Sequence, residues 1–216
     1  MVRTSEIGST TIISFQTKYP TFSGADFDRT MTTLGFQRGT TQVSKAGAQA
    51  QQIIYTKENM VVDNDIQTNI LNFRLFNTVN ISRVYDDIKQ ALLKLKIDPN
   101  SIHLMGLVCL TMAHDIENPE NILTTLISSE AKTRIATSLE FEPAVYSLIL
   151  VNKTPQQEDL QIRIEPLASN PNESFFIQIN YKTTSHDKFD NFISKFGEST
   201  IRDIAFSMSD KSAKVD

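Results

Sequence analysis

Between residues 175 and 208 the spacing of apolar side chains changes once, and that change limits what the chain can fold into. Phe175, Ile177, Ile179 and Tyr181 alternate with Phe176, Gln178, Asn180 and Lys182, the period of two of a strand with one buried face. Phe189, Phe192, Ile193, Phe196, Thr200, Ile204 and Met208 then fall at spacings of three and four, which is one face of a helix. Ser185 stands at the N-cap position, with Asp187 in the first turn. An unbroken helix of twenty-odd residues spans roughly 35 Å, enough to cross a whole sheet. A strand that runs straight into such a helix points to helices laid on a sheet.

The rest of the chain repeats this alternation. Residues 1–8 read as a loose start. Thr11, Ile13 and Phe15 mark a strand over 9–16, ended by Tyr19-Pro20. Ser23 and Asp26 resemble a capping box before a short helix with Phe27, Met31 and Leu34 on one face, stopped at Gly35. A weak strand over 42–46 ends at Gly47. A better one over 51–56 turns at Lys57-Glu58-Asn59 into Met60-Val61-Val62, a hairpin signal. Asn64-Asp65 reads as a second turn. Leu71, Phe73 and Leu75 alternate with Asn72, Arg74 and Phe76. A helix capped by Asn80 or Ser82 follows, with Ile81, Val84, Tyr85, Ile88, Leu92 and Leu95 as its stripe and Asp98-Pro99-Asn100 closing it.

The order then begins again. Residues 102–112 are almost all apolar, as in a central strand covered on both faces. Asn118-Pro119-Glu120 starts a helix with Ile122, Leu123, Leu126 and Ile127 buried. Polar turns are expected to about Thr137. A strand follows over 141–152, with Pro143 at its start, then a turn over 154–159. Ile162 and Ile164 alternate with Gln161, Arg163 and Glu165, and Ser169-Asn170-Pro171-Asn172 turns into the closing strand. The expected fold is α+β: pseudo-duplicated strand-helix-strands-helix units forming a twisted antiparallel sheet with helices packed on one face. The halves are 1–98 and 99–216, intimately packed as one globular unit.

Such a sheet leaves one face without helices. By the period of two, that face carries Asn72, Arg74 and Phe76 in the first half and Gln161, Arg163, Phe176, Gln178, Asn180 and Lys182 in the second, with Glu165 beside them. A merely solvated face has similar polarity. Phe76 and Phe176 are poor choices for bare solvent and argue for a binding surface.

Composition narrows the function. The chain has 216 residues and a net charge of −4. Residues 1–98 carry eleven Lys and Arg against nine Asp and Glu, and residues 99–216 carry ten against sixteen. Neither half is the basic surface that binds nucleic acid without sequence preference. The start MVRTSEIGSTT lacks the apolar segment of a signal peptide, and no apolar run is long enough for a bilayer. A cytoplasmic protein without glycans at Asn80, Asn152 and Asn172 is expected. The single Cys109, within Leu107-Val108-Cys109-Leu110, reads as a small buried hydrophobe.

Two stretches carry a resemblance. IDPNSIHLMGLV over 97–108 exits a helix into a strand with an embedded Gly-Leu, and FFIQINYK followed by KFDNFISKFGESTIRDIAFSM closes the chain, with Phe196 and Thr200 in its helix. Together they resemble a sporadically distributed family of uncharacterised prokaryotic proteins. The likeness covers the last half of the chain. It implies a comparable strand and helix order and no chemistry that can be assigned to a residue. Where those members tend to carry Arg-Tyr-Asn after the glycine, Leu107-Val108-Cys109-Leu110 stands here. The element order also resembles the two repeats of the TATA-box-binding protein fold, with the hairpin QQIIYTKENMVV its nearest local match. That family's DNA-facing sheet is basic, whereas this chain is acidic, so DNA binding is not expected to follow the fold.

No phosphate loop, dinucleotide fingerprint or nucleophile elbow is present. Asp63-Asn64-Asp65 begins like a calcium loop but has Thr68 and Arg74 where Gly and Glu are needed. Glu140 and Glu142 would share a strand face, more as solvated carboxylates than as an acid/base pair. No metal site or cofactor is expected. The reading is a non-enzymatic binding or protein-interaction module using the open sheet face or the cleft between the halves, with a homodimer or other protein partner and a small ligand as possible occupants. The alternatives are an enzyme assembled only in three dimensions, from His114, Asp115, Arg74 and Arg163, or a nucleic-acid binder.

Overall fold

The computed structural model describes residues 3–18, 25–45, 48–65, 68–78, 81–126, 128–139, 145–152, 158–197, 200–201 and 203–205. Nine strands form one antiparallel sheet. They are β1 (Arg3–Thr17), β2 (Gln37–Lys45), β3 (Ala48–Lys57), β4 (Met60–Asp65), β5 (Ile70–Phe76), β6 (Ile102–His114), β7 (Leu148–Val151), β8 (Glu158–Pro166) and β9 (Phe175–Thr183). Five described α-helices are interspersed: α1 (Ala25–Thr33), α2 (Ile81–Lys94), α3 (Pro119–Thr125), α4 (Ser129–Leu139) and α5 (His186–Lys195), with a one-turn 3-10 helix at Pro99–Ser101. The strand order is β2-β3-β4-β5-β1-β6-β9-β8-β7. The two longest strands, β1 and β6, therefore pair at the centre, and each half of the chain fans outward from its own first strand. The expected α+β class, with an antiparallel sheet and helices on one side, is what the chain forms.

The buried side of the sheet follows from the alternation. Ile13 and Phe15 of β1, Leu71, Phe73 and Leu75 of β5, Leu107 and Cys109 of β6, and Ile177, Ile179 and Tyr181 of β9 all lie on one face in the core. Phe27 and Met31 of α1, Tyr85 and Ile88 of α2, Ile122 and Leu123 of α3, and Phe189 and Ile193 of α5 join the same cluster. Several helix ends use the expected devices. Asn118 caps α3, accepting from Asn121 N at 3.3 Å, and Pro119 follows it. Ser185 caps α5, accepting from Lys188 N at 3.4 Å. After α1, Gly35 at φ 84° allows Phe36 N to donate to Met31 O and Gly35 N to donate to Thr32 O, a Schellman turn.

Several expectations are corrected. The start is not loose from residue 3: β1 begins at Arg3, paired with His114, and a register shift falls between Ser5 and Thr10. Arg3, Thr4 and Ser5 are strand without apolar alternation because they pair with His114, Ala113 and Met112 of β6. β2 starts at Gln37 for the same reason, in register with β3. Asn64 and Asp65 are strand, opposite Leu71 and Ile70. Ser82 lies inside α2 and does not cap it. The polar stretch before Thr137 is α4, whose Ser128 hydroxyl accepts from Ala131 N. Its weak amphipathy hid it. Among the described residues of 141–152, regular strand is limited to β7. Leu126 is exposed.

The long C-terminal helix is broken. α5 ends at Lys195, Phe196 is extended at φ −81° and ψ 129°, and helical residues resume at 200, 201 and 203–205. Phe196 is buried and stacked on Phe192 with centroids 5.5 Å apart. That stacking and core burial are met with the chain turned out of the helix. Ser23, Gly47, Asn80, Ile127, Glu140 and Glu142 lie outside the described residues.

β6 differs from the expected doubly covered strand. From Leu104 onward its side chains alternate: Met105, Leu107, Cys109, Thr111 and Ala113 are buried, while Leu104, Val108, Leu110 and Met112 are only half-buried. The apolar run is covered by helices on one face, not two.

Candidate helix-free sheet surface

Strand register assembles the uncovered face row by row. One row runs Arg74, Ile12, Val108, Asn180, Gln161 across β5, β1, β6, β9 and β8. The next runs Phe76, Thr10, Leu110, Gln178, Arg163 and reaches Ile149 of β7. Beyond it lie Met112, Phe176 and Glu165. On the other side, Asn72, Ser14, Gly106, Lys182 and Asp159 make a row. All nine residues expected on this face are therefore on it. They form two groups, one on β5 and one on β8 and β9. Three strand spacings separate β5 from β9, about 14 Å.

What joins the two groups is apolar. Ile12, Val108, Leu110 and Met112 occupy the centre, with Phe176 beside Met112, and none belongs to the hydrophobic core. The β6 members are not marked by period, because a continuous apolar run reads as a strand covered on both faces. The available signal was the length of that run combined with a helix count sufficient for one face only.

The β5 side is a preorganised polar cluster. Asp63 is buried and accepts from Arg74 Nε at 2.6 Å, Asn72 Nδ2 at 2.9 Å and Gln52 Nε2 at 3.3 Å. Ser14 Oγ donates to Asn72 Oδ1 at 2.7 Å. Asp63 is thus the hub of this cluster, and it entered the sequence reading only as the start of a failed calcium loop. The other side is a chain of amides. Gln178 Nε2 donates to Asn180 Oδ1 at 3.2 Å, and Asn180 Nδ2 donates to Gln161 Oε1 at 3.3 Å. Arg163 Nη2 lies 2.6 Å from Glu165 Oε2. Lys182 faces Asp159 across the β9–β8 pair. Each cation named here has an acid beside or opposite it, which weakens attraction for a phosphate backbone.

The residues considered for an enzyme do not converge. Arg74 and Arg163 stand four strands apart, about 19 Å. His114 lies at the end of β6, its Nδ1 2.8 Å from Oγ of the buried Ser174. Val108, in Arg74's row, lies six residues back along β6, about 20 Å. Asp115 follows His114 on an exposed turn at φ 60°. Cys109 is fully buried on the helix side, and burial pushes its thiol up to about 11, so it is not a ready nucleophile.

Two of the cavities among the described residues lie beside helices. One, of about 530 Å³, sits between the end of α1, the β3–β4 hairpin and α2, with Phe73 and Leu75 at its base. The other, about 390 Å³, is bounded by Glu158, Tyr181, Phe192, Phe196 and Thr200. Each lies within one half of the chain, and the halves themselves meet by β1–β6 pairing, interrupted by two register shifts, and by contact of α2 with α5. No described helix is long and apolar enough to cross a membrane. No protein-family model, curated protein or solved structure matches the chain.

Proposed function

We propose that this protein is a non-enzymatic binding module whose working surface is the helix-free face of its sheet. The observation that carries this reading is the apolar centre of that face, Ile12, Val108, Leu110, Met112 and Phe176, outside the core cluster and flanked by two hydrogen-bonded polar groups. Apolar surface concentrated between ordered polar side chains is the pattern of a recognition site. The occupant that fits is an apolar surface of a protein, or a flat small molecule with polar ends that meet Asn72 and Gln178. The pairing of Arg74 with Asp63 and of Arg163 with Glu165 favours these over nucleic acid. Two halves with similar element order, meeting at their first strands, support an internal duplication like that of the TATA-box-binding fold, used here on a different partner. The setting is cytoplasmic on the sequence grounds given above.

The test uses anilinonaphthalene sulfonate, a fluorescent amphipathic probe, on the purified full chain. Wild type is expected to bind it, and Leu110→Lys and Phe176→Asp are each expected to weaken binding at least about fivefold, roughly 1 kcal/mol. Leu93→Asp, on an exposed site of α2, is expected to leave binding unchanged. Melting temperatures should stay within about 4 °C of wild type, since a poorly suited residue on a strand costs about 1 kcal/mol. Failure of wild type to bind the probe overturns the reading. So does a melting loss above about 10 °C in both face variants, which would make these side chains core.

A further inference from the structure

The other end of the sheet carries a separate feature. Four of the eight exposed large hydrophobic side chains among the described residues lie within six positions: Tyr146 at 60%, Ile149 at 53%, Leu150 at 40% and Val151 at 66% exposed. Three of them make up most of β7, the last strand of the sheet. Edge strands are normally blunted by short length, charge, proline or a bulge, and β7, at four residues, has only the first of these. The opposite edge follows that rule, since β2 carries the charge of Arg38. β7 reads Leu-Ile-Leu-Val, without a charge and without a register shift against β8.

The backbone of β7 is also oriented for pairing. Asn152 N donates to Leu160 O at 3.1 Å. Residues 152 and 160 continue the β7–β8 register, in which Leu150 opposes Ile162 and Leu148 opposes Ile164. Hydrogen-bonded pairs alternate along an antiparallel ladder. Leu148 and Leu150 therefore turn their backbone groups toward β8. Ile149 and Val151 turn theirs outward, to the free edge.

We infer that β7 is a self-association edge, which pairs with β7 of a second copy about a two-fold axis centred on Leu150. In that register Ile149 of each copy lies opposite Val151 of the other. The outward N–H and C=O groups of those two residues then meet, giving four new hydrogen bonds. Leu150 faces its own counterpart in a non-hydrogen-bonded pair, where side chains approach most closely. An identical strand satisfies this geometry without any further fitting, because an antiparallel pair about a two-fold axis is self-complementary and closes at two copies. The strand has no charge with which to select a charged partner. The contact is short, so the dimer belongs to the small, reversible class of interfaces. Its product is one eighteen-stranded sheet with both helix-free faces on the same side; the contact uses the backbone edge of β7, at the margin of the proposed binding face that Ile149 reaches.

Sedimentation of the full chain over a range of concentrations tests this. Wild type is expected to pass from monomer to dimer in roughly the ten to several hundred micromolar range. Ile149→Pro removes an outward N–H that β8 does not use, and it should raise the dissociation constant at least about tenfold with little change in melting. Ile149→Lys provides the same test if the proline variant folds poorly. Leu150→Cys should form a covalent dimer under mild oxidation, while wild type, with Cys109 buried, and Ile149→Cys should not. A wild type that stays monomeric at about 1 mM overturns the inference. A dimer that survives both Ile149 variants, or a Leu150→Cys protein that does not cross-link, does so too.

Discussion

Lys96 holds a backbone conformation that lysine disfavours. It sits at φ 55° directly after α2, where Ile97 N donates to Leu92 O and Lys96 N to Leu93 O. This is the same Schellman geometry that Gly35 makes without strain after α1. Lys96→Gly should therefore raise stability by about 0.5–1 kcal/mol, the left-handed penalty less the entropy of glycine; a lower melting temperature in calorimetry would contradict this. Asp63 is a case of the opposite kind. Removing its carboxylate leaves Arg74 Nε and Asn72 Nδ2 without their acceptor in a partly buried cluster. Asp63→Ala should cost about 2–3 kcal/mol, measured by urea denaturation. Loss near zero would mean that water replaces the carboxylate and that the cluster is not preorganised.

At the scale of elements, α5 is what fastens the helical layer to the sheet. Phe189 lies at the meeting of three rings, Phe15 at 6.0 Å, Tyr85 at 5.8 Å and Tyr181 at 6.2 Å between centroids. Tyr85 OH donates to Asp190 Oδ1 at 2.7 Å, tying α2 to α5. Phe189→Ala should destabilise by about 3–5 kcal/mol, read from the denaturant midpoint at unchanged slope. The same contacts set an alkaline limit. Burial first, and then the hydrogen bond to Glu158, push the Tyr181 phenol up to about 12. Burial and Asp190 raise Tyr85 as well. Unfolded tyrosines lose their protons near 10, so above that pH the native state binds more protons than the unfolded one. The contribution of these phenols to stability is complete below about pH 10 and is lost as pH rises toward 12. Melting temperatures measured between pH 9 and about 12 should fall, and Tyr85→Phe should make the fall shallower. A Tyr85→Phe protein with the wild-type slope would assign the loss to other groups.

For the molecule as a whole, the sheet order makes stability uneven. β1 and β6 are long, central and paired on both sides, whereas β2 and β7 each have one neighbour. Amide exchange should be slowest in the middle of β1, β6 and β9 and fastest in β7, by several powers of ten. Uniform protection across all nine strands would show that the sheet opens only as a unit. Dimer formation through β7 should slow exchange at Ile149 and Val151 alone among its residues, since only their N–H groups face the edge.

Much of this protein was legible in its residues, because side-chain period and capping are local. The alternation from Phe175 to Lys182, the stripe of α2 and the Asn118-Pro119 start of α3 follow from neighbours a few positions apart, and the nine polar and aromatic residues expected on one face share it. Other features depended on partners far along the chain. The first residues of β1 are strand because β6 pairs with them, and Thr11 lies against Cys109 across 98 positions. Phe196 leaves the helix with its ring in the core and stacked on Phe192. Period alone reports which side chains share a face, but not whether anything covers that face. The helices took one side of β6, and only that tertiary choice left Val108, Leu110 and Met112 open on the other. Likewise, four apolar residues became an uncharged edge only because the strand order ends at β7.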